Sequence, residues 1–296
     1  MSIDEVRVPG SIPSRERFRR SSPANSPSVG QHPDVPDVRV IRGDCLEVLK
    51  RENDGSIDIV VTSPPYNLGI GYALYKDNKN RDVYLSWLNA VFAEIKRVMK
   101  DNGSFFLNMG ASNTDPWVPY DVANEARKLF VLQNDIVWVK SITIGDTSSG
   151  HFKPINSDRF LNHTHESIFH LTKTGNVKVD RLAIGVHYQD KGNIKRWNRS
   201  GRDIRCRGNS WYVPYETIRS RGDKGMHPAV FPEQLVENCI RLHGFRRGET
   251  VVCDPFCGTG TTMVVAARLG LRGLTMEIDQ SYIEYMKRRI RQAVHS

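Results

Sequence analysis

Short runs of aliphatic and β-branched residues alternate along the chain with longer segments in which apolar residues recur every three or four positions. The short runs predict buried strands, and the longer segments predict amphipathic helices that cover them. The clearest helical stripe lies within residues 84–98, where large apolar side chains repeat at helical spacing and are interpreted as core. Alternation of strands and helices predicts an α/β fold.

The same pattern predicts seven strands and six helices. Strands are predicted at residues 38–41, 57–61, 104–109, 134–139, 163–170, 250–253 and 273–277. Helices are predicted at residues 45–50, 84–98, 121–130, 233–243, from 261 or 262, and at 279–294. Between them, residues 101–103 are interpreted as a helix stop, residues 141–162 as a long connection, and the polar residues 69–80 as a mobile loop.

Composition narrows the class of protein. The chain has 296 residues and a formal net charge of +9, with an isoelectric point near 9.4. This length suits one large α/β domain with an insertion, and the charge predicts an acidic partner, with nucleic acid the first candidate. No apolar run approaches the roughly 18 residues of a membrane span, and the N-terminus lacks a signal-peptide core. Five cysteines without a CxxC pair predict a reduced, cytoplasmic compartment, and no metal site is expected.

Composition also divides the chain into four parts. Residues 1–36 are rich in Ser, Pro and Arg and are predicted to form a disordered N-terminal arm. Residues 172–225 hold 13 Lys and Arg against 5 Asp and Glu, so most of the net charge lies in this segment. Residues 37–171 and 226–296 are predicted to be two halves of one α/β domain.

The first segment with distinctive chemistry is residues 57–67, an apolar strand followed by Ser63-Pro64-Pro65-Tyr66. The prolines end the strand, because proline has no N–H to donate and restricts its own φ. Carbonyl groups at Ser63 and Pro64 are left to accept hydrogen bonds, beside the flat face of Tyr66. In an open α/β sheet, ligands bind at this edge. The alternative is an ordinary loop with two prolines.

The second such segment is residues 250–262, where a short strand leads to Gly258-Thr259-Gly260 and a helix start. A glycine turn at a helix N-terminus lets a ligand approach the backbone closely. Met263 stands where a dinucleotide fingerprint has its third glycine, which weighs against a nicotinamide-dependent dehydrogenase. The next predicted strand ends in Glu277, whose carboxylate can accept hydrogen bonds from two ribose hydroxyls.

Together these segments resemble the amino-group DNA methyltransferases that use S-adenosylmethionine. Ser63-Pro64-Pro65-Tyr66 matches the catalytic tetrapeptide of that family, and residues 254–260 match its cofactor loop. The segment with His227 and Phe231 looks like the one that packs over the methionine end of the cofactor. The tetrapeptide precedes the cofactor loop, which is the circularly permuted order of the β group. The resemblance covers residues 37–296.

The resemblance implies a Rossmann-like fold with a mostly parallel seven-stranded sheet, helices on both faces, and a circular permutation. Residues 37–171 would form the catalytic half and residues 226–296 the cofactor-binding half. The residues expected to carry catalysis are Ser63, Pro64, Pro65 and Tyr66. The residues expected to bind S-adenosylmethionine are Asp44, Cys45, Ser63, Pro64, His227, Phe231, Asp254, Phe256, Gly258, Thr259, Gly260, Thr261 and Glu277. For Asp44, a helix N-cap is the alternative role.

The basic segment, residues 172–225, is interpreted as a target-recognition insertion. Arginines there interleave with aromatic residues, including Trp211 and Tyr212, and such residues can contact phosphates and read bases. A solvated basic face is the alternative. The residues expected to contact double-stranded DNA are Arg196, Trp197, Arg199, Arg202, Arg205 and Arg207.

The implied reaction is methyl transfer to the exocyclic N4 of a cytosine flipped out of the duplex, since Ser before Pro-Pro usually accompanies N4-cytosine in this family. N6 of adenine is the alternative target, and a non-catalytic nucleic-acid-binding protein is a more remote alternative. None of the cysteines follows a proline, which disfavours the covalent route of C5-cytosine methyltransferases. A partner restriction endonuclease and a homodimer are further expectations from the resemblance.

Overall fold

The computed structural model describes residues 4–8, 37–71, 74–150, 155–197, 201–215 and 231–295. The described residues form eleven strands: β1 (Asp4–Val8), β2 (Val38–Arg42), β3 (Ile57–Thr62), β4 (Met99–Met109), β5 (Val131–Val139), β6 (Ser141–Ile144), β7 (Thr147–Gly150), β8 (His165–Thr172), β9 (Ser210–Tyr212), β10 (Val251–Asp254) and β11 (Arg272–Glu277). They also form seven helices: α1 (Cys45–Leu49), α2 (Arg81–Val98), α3 (Val118–Arg127), α4 (Asn193–Trp197), α5 (Glu233–His243), α6 (Thr261–Arg268) and α7 (Gln280–His295).

A single mixed sheet organises the described chain, with strand order β1-β2-β11-β10-β3-β4-β8-β5-β9. The five strands from β2 to β4 in this order are mutually parallel, and β8 runs antiparallel to both β4 and β5. The carboxyl ends of the five parallel strands therefore meet at one edge of the sheet. That edge is where an open α/β sheet offers its binding crevice.

Helices cover both faces of the sheet, as predicted. One apolar cluster joins α1, α2 and α3 to one face of the strands, and a second joins α5, α6 and α7 to the other. Helix α2 shows why apolar spacing predicted the helices. Tyr84, Leu88 and Phe92 are spaced to lie on one helical face, and all three are fully buried. Within the described residues, no helix combines the length and apolarity needed to cross a bilayer.

The sheet differs from the prediction at its two edges, because it has nine strands and not seven. Strand β1 pairs antiparallel with β2, so the prediction of a disordered arm was wrong for Asp4–Val8. Glu5 forms an ion pair with Arg39 of β2, which gives this edge strand a partner that its own composition does not reveal. The other residues of the predicted arm lie outside the described ones.

The second additional strand lies inside the basic segment. Strand β9 pairs parallel with β5, so the predicted insertion, residues 172–225, contributes to the central sheet. The fully buried Trp211 explains this, since its ring packs in the core and its Nε1 donates to the Gly208 carbonyl over 3.0 Å. An aromatic residue predicted to interleave with DNA-contacting arginines is therefore a core residue.

Two connections were also predicted wrongly. Helix α2 ends at Val98 and β4 begins at once, so residues 101–103 lie in a strand and do not stop a helix. Gly103 is needed there for close approach, because a Cβ would lie 2.5 Å from Met99 Cγ and 3.0 Å from the Asp58 carbonyl oxygen. Within the predicted long connection, residues 141–162, strands β6 and β7 form a hairpin.

Candidate active site

A cavity of about 290 Å³ opens at the carboxyl ends of β2, β11, β10 and β3. Its lining residues are Gly43, Asp44, Cys45, Ser63, Pro65, Leu74, Tyr75, Lys79, Trp87, Pro255, Phe256, Gly258, Met276, Glu277, Ile278, Asp279 and Tyr282. Six of the predicted cofactor residues are among them: Asp44, Cys45, Ser63, Phe256, Gly258 and Glu277. The sheet topology thus brings together segments that lie more than 200 positions apart in the chain.

Two carboxylates in this wall are held by backbone amides. Asp44 caps the N-terminus of α1, its Oδ1 accepting from the amides of Leu46 and Glu47 over 2.9 and 3.3 Å. The N-cap role and a place in the cavity wall are therefore compatible for this residue. Glu277 accepts hydrogen bonds from the amides of Gly258, Ile278 and Asp279. Burial nevertheless raises the pKa of Glu277 to about 7, because a carboxylate loses solvation there.

The glycine turn supports the cavity from behind. Gly260 has φ +86° and a Cβ at this position would lie 2.2 Å from Met286 Cγ, so only glycine fits. Arg289 of α7 donates to the carbonyl oxygen of Thr259 and to Oγ1 of Thr261, and it pairs with Glu233 at the start of α5. Thr259, Gly260 and Thr261 are buried and do not line the cavity, so their predicted role in direct cofactor contact is not reproduced.

Asp254 is also placed away from the cavity. Its carboxylate accepts hydrogen bonds from the hydroxyls of Thr62 and Thr262 and from the amide of Phe256. Burial raises its pKa to about 6. This predicted cofactor residue therefore joins the ends of β3 and β10 to the start of α6, and it shapes the site without facing it.

An aromatic wall closes one side of the cavity. Phe256 meets Trp87 of α2 edge-to-face, with ring centroids 5.6 Å apart. The Nζ of Lys79 lies 4.4 Å from the ring centroid of Tyr75 and 4.9 Å from that of Trp87. Such cation–π contacts hold the Lys79 ammonium against the rings. Of these aromatic residues and Lys79, only Phe256 was predicted to contact the cofactor.

The described residues of the predicted mobile loop, residues 69–80, are tied to the turn before them by hydrogen bonds of two side chains. Asp77 is 2% exposed, and its carboxylate accepts hydrogen bonds from the amides of Asn67, Leu68 and Ile70. Asn67 in turn exchanges two hydrogen bonds with the backbone of Lys79. These contacts bring both ends of the loop together and carry Tyr75 and Lys79 over the cavity.

The predicted catalytic tetrapeptide, Ser63-Pro64-Pro65-Tyr66, lies at the end of β3, next to the cavity. Ser63 Oγ donates to Tyr66 Oη over 2.8 Å, and the Tyr84 hydroxyl of α2 donates to the Pro65 carbonyl over 2.7 Å. The latter bond anchors the rigid turn on the helix beneath it. Pro64 is buried and its side chain does not line the cavity.

Three residues that the sequence analysis did not assign to the site surround Tyr66. Asn108 Nδ2 donates to Tyr66 Oη over 2.8 Å and to Glu166 Oε2 over 2.7 Å, and Lys140 forms an ion pair with Glu166 Oε1. Burial raises the pKa of Tyr66 well above its usual value, and the nearby Glu166 charge adds to this. No pattern in the sequence around Glu166 indicated its contact with Tyr66.

The predicted DNA-contacting residues fall into three groups. Arg196, Arg202 and Arg205 are exposed on the basic segment. Arg207 is half-buried and donates to the Ile184 carbonyl over 2.9 Å, so it stabilises the segment itself. Arg199, like the predicted cofactor residue His227, lies outside the described residues, as does the side chain of Trp197.

The predicted cofactor residue Phe231 packs against the apolar cluster of α5, α6 and α7 and does not line the cavity. The lining residues themselves suit S-adenosylmethionine. The cavity lining includes three acidic residues, Asp44, Glu277 and Asp279, and one lysine, which favours a cationic ligand such as a sulfonium. Phe256 offers an aromatic face to a purine ring, and Glu277 offers acceptors to ribose hydroxyls.

Known proteins are similar to this chain over most of its length. A family model for DNA methylases of the N6/N4 type matches residues 57–288. The type II methyltransferase M.HpaI of Haemophilus parainfluenzae is 30% identical over 258 residues, covering 86% of this chain and 74% of that protein. The DNA adenine methyltransferase YhdJ of Escherichia coli is 29% identical over 265 residues, covering 86% and 83%.

Solved structures show the same fold. The cytosine-N4-specific PvuII DNA methyltransferase superposes with a TM-score of 0.65 at 20% identity, covering 85% of this chain and 86% of that one. The Thermus thermophilus protein TTHA0409, solved with S-adenosyl-L-methionine, has a TM-score of 0.58 at 26% identity, covering 86% and 93%. The chain therefore belongs to the N6/N4 DNA methylase family and uses S-adenosylmethionine as its methyl donor.

Proposed function

We propose that the protein is a site-specific methyltransferase that transfers a methyl group to the exocyclic N4 of cytosine in double-stranded DNA. The observation that carries the amine-acceptor chemistry of this proposal is the hydrogen bond from Ser63 Oγ to Tyr66 Oη. Cytosine is favoured by the serine at the head of the tetrapeptide. Because a serine hydroxyl has one hydrogen, donating it to Tyr66 leaves only lone pairs on Ser63 Oγ. Ser63, at the cavity wall, is therefore poised to accept hydrogen bonds from an amine.

The chemistry of an aromatic amine explains why an acceptor is needed. The lone pair of such a nitrogen is delocalised into the ring, so the amine is a weak nucleophile. Accepting its hydrogens at Ser63 Oγ and at the Pro64 carbonyl favours a more tetrahedral nitrogen with its lone pair aimed at the cavity. The base must leave the helical stack to reach this site, and the Tyr66 ring offers it a stacking surface. Bound S-adenosylmethionine supplies the electrophilic methyl group.

For the cofactor, we assign direct contacts to the predicted residues that line the cavity. Glu277 accepts the ribose hydroxyls, Asp44 lies near the adenine amino group, and Phe256 packs on the purine. Gly258 has no side chain, so the cofactor can approach its backbone closely. Cys45 lies beside Asp44 in the cavity wall. Asp254 and the turn residues after Gly258 do not line the cavity, and they support the residues that do.

Adenine N6 is the second candidate target. The 29% identity to the adenine methyltransferase YhdJ over most of the chain favours it, whereas Ser63 at the head of the tetrapeptide favours cytosine. The two targets share the acceptor chemistry at Ser63. They differ in ring size and in the carbonyl group that cytosine carries and adenine lacks.

Three further features belong to the proposal. The order of tetrapeptide and glycine turn supports a circularly permuted methyltransferase of the β group. The exposed arginines of the basic segment support a role for that segment in target recognition. Similarity to type II methyltransferases supports a cognate restriction endonuclease as a functional partner. The family resemblance of the sequence motifs supports a homodimer as the assembly.

The test is to identify the modified nucleoside. DNA methylated by the purified protein is digested to nucleosides and separated by mass spectrometry, and N4-methylcytosine is the expected product. N6-methyladenine as the sole product would assign the second candidate. Long-read sequencing of DNA from cells that express the protein then gives the sequence context of the modification.

Replacing the acceptor provides a second test. The variant Ser63→Ala should lower the methyl-transfer rate by on the order of 10²-fold or more, because a transition-state acceptor is lost. Ser56→Ala is the matched control, since the exposed Ser56 hydroxyl bonds to the nearby Asn53 carbonyl, outside the site, and its loss should leave the rate unchanged. A Ser63→Ala variant with the wild-type rate would remove Ser63 from the mechanism.

A further inference from the structure

A path of hydrogen bonds leads from Ser63 away from the cavity. Ser63 Oγ donates to Tyr66 Oη over 2.8 Å, and Tyr66 Oη donates to Glu166 Oε2 over 3.0 Å. The first two groups belong to the turn after β3, and the third belongs to β8, 100 positions further along the chain. A continuous series of donors and acceptors thus connects the amine-binding side of Ser63 with a carboxylate.

Asn108 of β4 sets the direction of this path. A tyrosine hydroxyl has one hydrogen and two lone pairs. Ser63 Oγ and Asn108 Nδ2 both donate to Tyr66 Oη, so the hydrogen of Tyr66 must point at Glu166. Every donor along the path therefore points toward the carboxylate, which is the arrangement that proton transfer away from the cavity requires.

The carboxylate at the end of the path is enclosed and held from several sides. The side chains of Glu166 and Lys140 are 10% and 13% exposed and form an ion pair. Lys140 Nζ also lies 5.2 and 5.3 Å from the ring centroids of Trp138 and Tyr215. At Gly110, a Cβ would lie 2.8 Å from Tyr66 Cε2 and 3.0 Å from Glu166 Cδ, so glycine alone permits this contact.

We propose that Glu166 is the terminal proton acceptor of methyl transfer, reached through Ser63 and Tyr66. The amine nitrogen that receives the methyl group must lose one proton. As that N–H bond breaks, a new O–H bond forms on Ser63, the former Ser63 O–H hydrogen moves to Tyr66, and the former Tyr66 hydrogen moves to a Glu166 oxygen. Ser63 and Tyr66 end neutral, and the Glu166 carboxylate ends protonated. Bulk solvent recovers the proton after the product leaves.

The inference deepens the proposed function, because it rests on the role of Ser63 as the amine acceptor. It applies equally to N4 of cytosine and N6 of adenine, since both amines lose one proton. Glu166 acts through Tyr66 and Ser63 and does not touch the base, so it is a positioning residue whose charge draws the proton outward. The neutral state of Tyr66, whose pKa burial raises, is consistent with a hydroxyl that passes a proton on.

The experiment measures single-turnover methyl transfer from tritium-labelled S-adenosylmethionine to unmethylated plasmid DNA. The variants are E166Q, which keeps the shape of the side chain, Y66F, which keeps the aromatic ring, and the double variant. E52Q is the matched control, because the Glu52 side chain is 13% exposed, is paired with Arg39, and lies outside the site. Melting temperature and the affinities for cofactor and DNA are measured for every variant.

E166Q and Y66F are each expected to slow the transfer step by roughly 10²-fold, as loss of general acid–base assistance does, with cofactor and DNA affinities unchanged. The double variant should be no slower than the slower single one, because both interrupt the same path. Wild type should show a solvent deuterium isotope effect that both variants lose, and E52Q should match wild type.

Two results would overturn the inference. One is an E166Q variant with the wild-type transfer rate. The other is additive losses with the isotope effect retained, which would mean that Glu166 only supports the fold. If E166Q melts well below wild type, Y66F and its isotope effect decide the question. Failure of the proposed function is separate, since it appears as a wild type without transfer or a Ser63→Ala variant that retains the full rate.

Discussion

Ser63 shows how much one hydrogen atom decides in this protein. A free serine hydroxyl can donate or accept, and only the partner at Tyr66 makes Ser63 an acceptor toward the cavity. Glu277 is a comparable case, because three backbone amides orient its carboxylate before any ligand binds. Preorganised acceptors avoid a reorganisation cost during binding and reaction.

At the residue scale, Glu277 should control cofactor affinity. E277Q is expected to weaken S-adenosylmethionine binding by roughly tenfold or more, because hydrogen bonds to a charged acceptor are lost. E284Q, which replaces an exposed glutamate on α7, should bind as wild type does. Isothermal titration calorimetry measures both, and equal affinities in E277Q and wild type would contradict the assignment.

The raised pKa of Glu277 adds a pH dependence to the same measurement. With a pKa of about 7, the carboxylate is largely protonated at pH 6 and largely ionised at pH 8. Because the ionised form is the better acceptor and attracts the sulfonium, the affinity should rise as pH rises through this range. The increase in affinity with pH should be smaller in E277Q than in wild type, and the difference between the two measures the contribution of Glu277.

At the scale of elements, a buried polar cluster joins β4, β5, β8 and α5 behind the active site. His170 lies between Asn134 and Ser104 at 2.9 and 3.0 Å, and its ring stacks on Phe106 with centroids 4.5 Å apart. His243 of α5 contacts the same Ser104 over 2.8 Å. Burial lowers the pKa of both histidines, and that of His170 falls to about 4.

This cluster predicts a loss of stability in mild acid. Between pH 6.5 and about 4 the unfolded chain protonates His170 while the folded chain does not, so stability is present above pH 6.5 and is lost as pH falls. The contribution is roughly 3 kcal/mol, from about 1.36 kcal/mol per unit of pKa. Urea unfolding at pH 7.5 and pH 5 should show a smaller acid loss in H170Q than in wild type. The exposed His187→Gln is the control, and an acid loss in H170Q equal to that of wild type would refute the assignment.

At the scale of the whole molecule, charge and topology meet at the basic segment. Its strand β9 lies at the sheet edge next to β5, the strand that leads into Lys140. The exposed arginines of the segment are therefore attached to the same sheet that carries the Tyr66 and Glu166 contacts. A basic surface fixed to this sheet can position a duplex while one base enters the site.

DNA binding should accordingly depend on Arg202 and Arg205. The double alanine variant is expected to bind DNA more weakly, with a salt dependence reduced by about 0.9 in slope for each lost phosphate contact. Arg272→Ala removes an exposed charge at the amino end of the interior strand β11, which is not a neighbour of β9, and should leave binding unchanged. Fluorescence anisotropy across a salt series measures this, and unchanged slopes in the double variant would rule out the proposed surface.

The sequence by itself determined the features that depend on local chemistry. Periodicity located α2 and the buried strands, because side-chain spacing follows directly from helix and strand geometry. The tetrapeptide, the glycine turn and Glu277 identified the cofactor and the reaction class. Their roles depend on residue type and on local backbone conformation, which the sequence records directly. Even there, direct contact was assigned to Asp254 and Thr261, which support the site from behind.

Tertiary structure alone decided which distant residues share an environment. Glu166 and Asn108 reach Tyr66 only because β8 pairs with β4 beside β3, and no local pattern records that pairing. Trp211 and Arg207 were interpreted as part of a DNA-contacting segment, yet Trp211 is buried in the core and Arg207 is half-buried against the Ile184 carbonyl. Tertiary packing outweighs local composition at both residues. Charge and aromaticity are properties of a residue, whereas the surface that a residue faces is a property of the fold.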